Sequence, residues 1–263
     1  MKFKLGIIGC GNMATAILSG ILKSNILSND EIIISDIDEG KLENFKNKKI
    51  VTTTDNKYLS QNSHYILFAV KPQMSETVFK QIEVNDKNFI ISIMAGKTTE
   101  SISKSLKINK RCRVMPNTPC LIGQGICALF YHNASSDDIN FIDRIFLSLG
   151  DIIHIEEKYF DAVTAVSGSG PAYVYYFINA LINAGEKLGL SSSESKKLVV
   201  KTFIGASNMA NESDKTLNQL IESVSSKGGT TVAALGEFDK ENISEKIFQG
   251  VAAACNRSAE LSK

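Results

Sequence analysis

Within its first fourteen residues the chain turns from an apolar run into a helix through two glycines. Leu5-Gly6-Ile7-Ile8 reads as a strand, Gly9-Cys10-Gly11-Asn12-Met13-Ala14 follows, and Met13, Ile17, Leu18, Ile21 and Leu22 recur at helical spacing. This is G-x-G-x-x-A opening a βαβ unit. Gly9 permits a tight turn, Gly11 lets the backbone approach a pyrophosphate, and small Ala14 lets the helix pack closely on the strand. Freed N–H groups and the positive end of the helix dipole then face the phosphates. The competing reading is a purely structural glycine turn. A second β-branched run, Glu31–Ser35, ends at Asp36, about 25 positions after Gly11, which suits an acid that receives the ribose hydroxyls. A carboxylate about 4 Å from a ribose 2′-phosphate repels it by up to ~4 kcal/mol, and by ~1–2 kcal/mol after screening. NADH is therefore expected in preference to NADPH.

The first half continues this alternation. Further strands are expected at Tyr65–Ala69, Phe89–Ile93, Arg111–Met115, Ile126–Tyr131 and Ile152–Ile155, and their unbroken Ile and Val suit a sheet covered on both faces. The expected class is α/β, with a Rossmann-type, doubly wound, mostly parallel sheet over residues 1–156. From Glu157 strand-like runs vanish, and 157–263 reads as an all-helical domain, with helices at Pro171–Leu188, Ser192–Asn211, Thr216–Val224, Thr230–Glu237 and Ser244–Leu261. Tyr173, Val174, Tyr176, Phe177, Leu181 and Ile182 make the helix after Pro171 apolar almost all round. From periodicity alone it is either a subunit interface or the central helix of a monomer.

Composition removes several classes of function. With 29 basic and 28 acidic residues the net charge is +1, and no basic stripe is available for nucleic acid. The five cysteines, Cys10, Cys112, Cys120, Cys127 and Cys255, form neither an even disulfide set nor a zinc pattern, so a reducing cytoplasm and no metal are expected. Met1-Lys2-Phe3-Lys4 leads into the first strand without a secretory pattern. The uncharged stretch 162–185 is broken by Ser167-Gly168-Ser169-Gly170-Pro171, so no membrane span is expected. His64, His132 and His154 show no ligand spacing or paired carboxylate and read as surface or structural. No Walker A pattern is present. Cys10, at a helix N-terminus, is placed where a thiol pKa is lowered.

Near the end of the chain, Ser225-Ser226-Lys227-Gly228-Gly229-Thr230-Thr231 precedes an apolar helical pattern. Two glycines there can expose successive N–H groups to a small carboxylate. An ordinary interhelical turn capped by Thr230 is the competing reading.

Together these segments resemble pyrroline-5-carboxylate reductase over nearly the whole chain. The resemblance rests on Ile8-Gly9-Cys10-Gly11-Asn12-Met13, Phe68-Ala69-Val70-Lys71-Pro72-Gln73, Ser92-Ile93-Met94-Ala95-Gly96 and Arg113-Val114-Met115-Pro116-Asn117-Thr118-Pro119. It continues through Ser167-Gly168-Ser169-Gly170-Pro171-Ala172-Tyr173 and Gly228-Gly229-Thr230-Thr231. It implies reduction of a cyclic imine to L-proline with NADH or NADPH. It also implies that Gly9, Gly11, Asn12, Met13, Ala69, Val70, Lys71 and Pro72 border the cofactor, that Asn56 contacts adenosine, and that Ala95 and Gly96 approach the nicotinamide. By the same resemblance Ser226, Gly229, Thr230 and Thr231 hold the substrate carboxylate and ring nitrogen, and Glu157 contacts the substrate. An intertwined dimer through the helical domain, usually assembled into a decamer, is implied as well. Lys227 stands where this loop usually has proline, and Asp36 where NADPH-preferring members often carry an uncharged or basic residue.

For such a substrate, protonating the ring nitrogen makes the imine carbon electrophilic, and orientation supplies much of the rate. Thr231 Oγ is expected to hydrogen-bond the ring nitrogen, with a modest catalytic share because a threonine hydroxyl is a poor acid. The alternatives are another imine or 2-keto acid reductase on the same plan and a non-catalytic sensor of NAD(H).

Overall fold

A computed structural model describes residues 1–261. The last two positions of the expected helical domain, Ser262 and Lys263, lie outside the described residues. The chain packs as two compact units. One runs from Met1 to Ser169 and takes in the chain from Ala254 on, and the other is Gly170–Ala253.

The first unit is built on eight strands: β1 Phe3–Ile8, β2 Ile32–Ser35, β3 Val51–Thr53, β4 Ser63–Phe68, β5 Phe89–Ser92, β6 Arg111–Met115, β7 Gly125–His132 and β8 Gly150–His154. They form one sheet in the order β3-β2-β1-β4-β5-β6-β7-β8. All neighbours run parallel except β6 and β7. Only nine residues link β6 to β7, too few for the crossover that parallel strands require. The sheet ends at His154, but 157–169 still packs with it, because Phe160 and Ala165 are buried there.

The helices of this unit are α1 Asn12–Lys23, α2 Glu39–Lys46, α3 Asn56–Asn62, α4 Ser75–Lys80, α5 Thr99–Leu106, α6 Ser136–Leu147 and α7 Phe160–Val163. Two buried apolar layers account for the continuous Ile and Val of the strands. Ile17, Leu18 and Ile21 of α1 join Ile7, Ile34 and Leu67 on one face, while Leu59, Val78 and Ile102 join Ile33, Ile66 and Ile90 on the other. After α7 the backbone widens into a single π-helical segment, Thr164–Gly168.

The second unit contains α8 Gly170–Lys187, α9 Ser192–Glu212, α10 Leu217–Ser223, α11 Thr230–Lys240 and the first half of α12 Ile243–Leu261. Helix α9 opens with a capping box, Ser191 with Glu194. Tyr176 is 72% exposed and Phe248 65%, and Tyr173, Tyr176, Phe177 and Ile247 line a groove of about 640 Å³ between α8 and α12. Helix α8 is therefore not the covered central helix of a monomer. Among the described residues no helix is long and apolar enough to cross a membrane.

Candidate active site

Register alone gathers the first half of the site. Ile8 pairs with Ser35 and Phe68, and Phe68 with Ser92, so β1, β2, β4 and β5 end at one edge of the sheet. The ladder runs on into the loops: Gly9 N–H donates to Ser35 O at 2.7 Å, Ala69 N–H to Ile8 O at 2.9 Å, and Ile93 N–H to Phe68 O at 3.2 Å. The strand order reverses between β1 and β4, and an open α/β sheet places its ligand crevice at such a reversal.

Gly9 has φ +102°, and a Cβ there would lie 2.7 Å from the Ala69 carbonyl oxygen, so the turn requires glycine. A Cβ on Gly11 would meet nothing within 4 Å, which leaves open space at the N-terminus of α1. Gly11 is the N-cap with extended backbone and no capping side chain, and the first turn carries no acid. The leading N–H groups of α1, beginning with exposed Asn12 and half-buried Met13, are thus free of intrahelical partners. These features fit a dinucleotide pyrophosphate.

Asp36 follows β2 and has partners of its own within the fold. Its Oδ2 accepts Cys10 N–H at 2.8 Å and its Oδ1 accepts Asp38 N–H at 3.0 Å, while Lys41 Nζ lies 3.9 Å away. The carboxylate therefore pins the glycine turn to the end of β2. Burial, and then the Asp36 charge, push the Cys10 thiol up to about 12, opposite to the lowering expected at a helix N-terminus.

Asn56, the first residue of α3, is buried with both ends of its amide engaged. Ser35 Oγ donates to its Oδ1 at 2.6 Å, and its Nδ2 donates to Gln81 Oε1 at 2.7 Å. Its side chain thus ties β2 to α3 and to the end of α4. Val70 is half-buried, and Lys71 is exposed in an extended conformation before Pro72, which opens a 3-10 turn. Lys71 thereby shapes backbone beside the β4 end. Ala95 and Gly96 follow β5; Gly96 has φ +73°, and a Cβ there would lie 2.9 Å from the carbonyl oxygen of Leu261, so the end of α12 closes on this loop.

Glu157 is held inside the first unit. One oxygen accepts Thr99 N–H at 2.7 Å and Arg113 Nη1 at 3.3 Å, and the other accepts Thr99 Oγ1 at 2.6 Å. The Arg113 guanidinium lies 4.6 Å from the Phe160 ring centroid. Glu157 therefore anchors the start of α5, immediately after the loop that contains Gly96. Nothing in the sequence distinguishes this from a ligand contact, because the partners lie 58 and 44 positions away.

His154 does have a carboxylate partner, contrary to the sequence expectation. Its Nε2 lies 2.9 Å from Asp143 Oδ1, which also accepts Tyr131 Oη at 2.6 Å, and the trio fastens α6 to the outer strands. Among the described residues no group of three or more His, Cys, Asp or Glu side chains could hold a metal ion.

In the second unit the loop before α11 forms a separate backbone cradle. Gly228 has φ +73°, and Gly229 N–H closes a turn onto Ser226 O at 2.9 Å. Gly229 rather than Thr230 is the N-cap of α11, and no side chain caps it. The N–H groups of Thr230 and Thr231 accordingly open the helix without intrahelical acceptors. Ser226, Lys227 and Thr230 are exposed and Thr231 is half-buried.

Family models match residues 4–96 as "NADP oxidoreductase coenzyme F420-dependent" and residues 157–261 as "Pyrroline-5-carboxylate reductase dimerisation". The pyrroline-5-carboxylate reductase of Pisum sativum is 34% identical over 99% of this chain and 97% of its own length. The chain belongs to the pyrroline-5-carboxylate reductase family. The Haemophilus influenzae reductase is 36% identical over 99% of this chain and 98% of its own. A crystal structure of the Plasmodium falciparum pyrroline carboxylate reductase with NADP bound is 35% identical, with a TM-score of 0.89 and full coverage of both chains. As a member of this family the enzyme reduces pyrroline-5-carboxylate to proline with a nicotinamide cofactor, and its helical segment is a dimerisation domain.

Proposed function

We propose that the residues at the strand ends of the first unit hold the cofactor and that the Gly229–Thr231 cradle holds the imine's carboxylate. The observation that carries the cofactor assignment is the open N-terminus of α1, with free N–H groups, clear space at Gly11 and a turn that only glycine fits at position 9. Gly9, Gly11, Asn12 and Met13 take the pyrophosphate. Ala69, Val70, Lys71 and Pro72 border the dinucleotide, Ala95 and Gly96 its nicotinamide end, and Asp36 accepts the ribose hydroxyls. Asn56 acts beneath the adenosine by fixing Ser35 and α3, and Glu157 fixes α5; both are positioning residues.

The bound nicotinamide supplies the hydride. The chain's own part is orientation and charge. N–H groups of Thr230 and Thr231 at the positive end of α11 neutralise the substrate carboxylate, with Ser226 as a further donor. Thr231 Oγ hydrogen-bonds the ring nitrogen, which fixes the face of the imine presented and favours its protonated, electrophilic form. Lys227 adds a cation to this anion site. NADH is the preferred cofactor, supported by the negative charge of Asp36, although the Plasmodium falciparum relative was crystallised with NADP.

The assembly is an intertwined dimer through the helical unit, built further into a decamer, and the uncovered apolar groove of α8 and α12 supports an interface there. Five free cysteines support a cytoplasmic setting. The test follows oxidation of NADH and of NADPH by purified protein with pyrroline-5-carboxylate, for the native chain and for Thr231→Ala. Faster oxidation of NADH, with a turnover loss in the variant, is expected. Preference for NADPH removes the role given to the Asp36 charge, and an unaffected variant removes Thr231 from the site.

A further inference from the structure

Two thiols that the reaction does not use lie together beneath the turn after β6. Cys120 sits in the 3-10 turn Thr118–Ile122 and Cys127 is the third residue of β7; their sulfurs are 3.6 Å apart. Cys127 is fixed within the sheet, between β6 and β8. Cys120 is carried by a single short turn, with Leu121 and Ile122 exposed beside it and Gly123 at φ +72° after it. A disulfide requires S–S of about 2.05 Å, so the sulfurs must approach by about 1.5 Å, a movement that falls to the short turn rather than to a strand paired in the sheet. Absence of a side chain at Gly125 is what lets Cys120 lie against the start of β7.

The pair is also chemically asymmetric. The contact between the two sulfurs lowers the pKa of Cys120 and, together with burial, raises that of Cys127, and Cys120 Sγ also lies 3.7 Å from Asn117 Oδ1. Cys120, carried on the turn beside exposed Leu121 and Ile122, is thus the nucleophile, and Cys127, inside the sheet, the resolving thiol. The turn is coupled to the cofactor end of the unit, because Cys120 belongs to the same buried cluster as Ala14, Ile17 and Leu18 of α1. Asn117, just before the turn, accepts Ile126 N–H at 3.1 Å and donates to Ser167 Oγ at 3.3 Å.

We propose that Cys120 and Cys127 form a reversible disulfide under attack by hydrogen peroxide, and that drawing the turn towards β7 shifts α1 and weakens cofactor binding. The Cys120 thiolate attacks a peroxide oxygen, the O–O bond breaks, and hydroxide leaves to take up a proton as water. Cys127 sulfur then attacks the resulting sulfenic sulfur; its S–O bond breaks, and the oxygen leaves as water with the Cys127 proton. Two electrons pass from the thiols to the peroxide, so two thiols and one peroxide give one disulfide and two waters. A small oxidant is specified because both sulfurs are buried, which excludes a bulky disulfide such as oxidised glutathione.

The test treats the folded full-length chain with hydrogen peroxide, alkylates the remaining thiols and maps the peptides. Expected are a mass lower by two hydrogens, a cross-link between Cys120 and Cys127, and restoration by dithiothreitol. Oxidised glutathione is expected to give no such cross-link on the same timescale. Cofactor titration by fluorescence is expected to show a several-fold higher Kd in the oxidised form, reversed on reduction; this readout rests on the dinucleotide site and not on the substrate. Oxygen addition without a cross-link, or a cross-link to another cysteine, overturns the pairing. Equal reaction with oxidised glutathione overturns the choice of oxidant, and an unchanged Kd after complete oxidation overturns the coupling to α1. Cys127→Ser should block the cross-link, but mapping of the native chain decides the matter even if that variant does not fold.

Discussion

Asp36 offers the sharpest test, because it carries a charge and a hydrogen bond whose effects can be separated. At the end of β2 the carboxylate, 11% exposed, is joined by Asp38 and Lys41, with Lys41 Nζ 3.9 Å from Asp36 and 3.7 Å from Asp38. These three charges leave a net charge of about −1 for a ribose 2′-phosphate to meet. At about 5 Å and an effective dielectric near 20 the repulsion is ~3 kcal/mol per unit charge, and solvent and salt reduce it to ~1–2 kcal/mol. At 1.36 kcal/mol per decade this is roughly a 5- to 30-fold preference. Asp36→Asn removes the charge but keeps an acceptor for Cys10 N–H, so kcat/KM should move towards NADPH by that factor. Asp36→Ala should produce the same change in ratio and in addition weaken both cofactors, because the charge-assisted bond that holds Cys10 N–H at 2.8 Å is lost, a term of about 1.5–3 kcal/mol. Initial rates with both cofactors at low and high salt give the numbers. If Asp36→Asn leaves the ratio unchanged, the charge at this position does not select the cofactor.

Other outcomes follow from the same geometry. Thr231→Ala should lower kcat by roughly one to two decades, with a smaller change in cofactor KM; steady-state kinetics check this. Gly9→Ala must place a Cβ 2.7 Å from a carbonyl oxygen at φ +102°, a strain of about 1–3 kcal/mol or more, so cofactor affinity by calorimetry should fall roughly tenfold or further. Glu157→Gln unpairs the buried Arg113 and should cost about 3 kcal/mol in urea unfolding, since Glu157 itself retains some solvent contact; an unchanged midpoint would show the pair to be dispensable. Because burial and Asp36 hold the Cys10 thiol up to about 12, it should stay protonated from pH 7 to 9 and resist iodoacetamide there, and peptide mapping that finds it labelled ahead of Cys255 would refute this.

Much of the sheet could be read from the amino-acid order, because its strands are continuous in Ile and Val and its first turn needs particular glycines. Strand β3, Val51–Thr53, could not, since three half-buried residues after a lysine run carry no period. The antiparallel placement of β7 was also hidden, although the short link from β6 held the clue. The π-helical segment Thr164–Gly168 leaves no pattern that a period of 3.6 can detect. For the helical unit, the apolar excess of α8 was legible, but what covers it is not written in that helix.

The site shows a different limit. Glycine and helix N-termini were found because their role is local: Gly9 needs its φ and Gly11 its open space whatever lies elsewhere in the chain. Asp36 was singled out by its type and spacing, and Asn56 and Glu157 by the family resemblance alone, but none of the three by its partners. Each can give its polar atoms either to a ligand or to the fold, and that choice depends on groups brought in by the sheet register, such as Cys10 N–H, Ser35 Oγ and Thr99 N–H. Glu157 already accepts three bonds from Thr99 and Arg113, and Asn56 is buried with both ends of its amide engaged, so each serves the fold first. The carboxylate of Asp36 still has lone pairs to spare after two N–H groups. Of the three polar residues, Asp36 is therefore the one that can serve the fold and the cofactor at once.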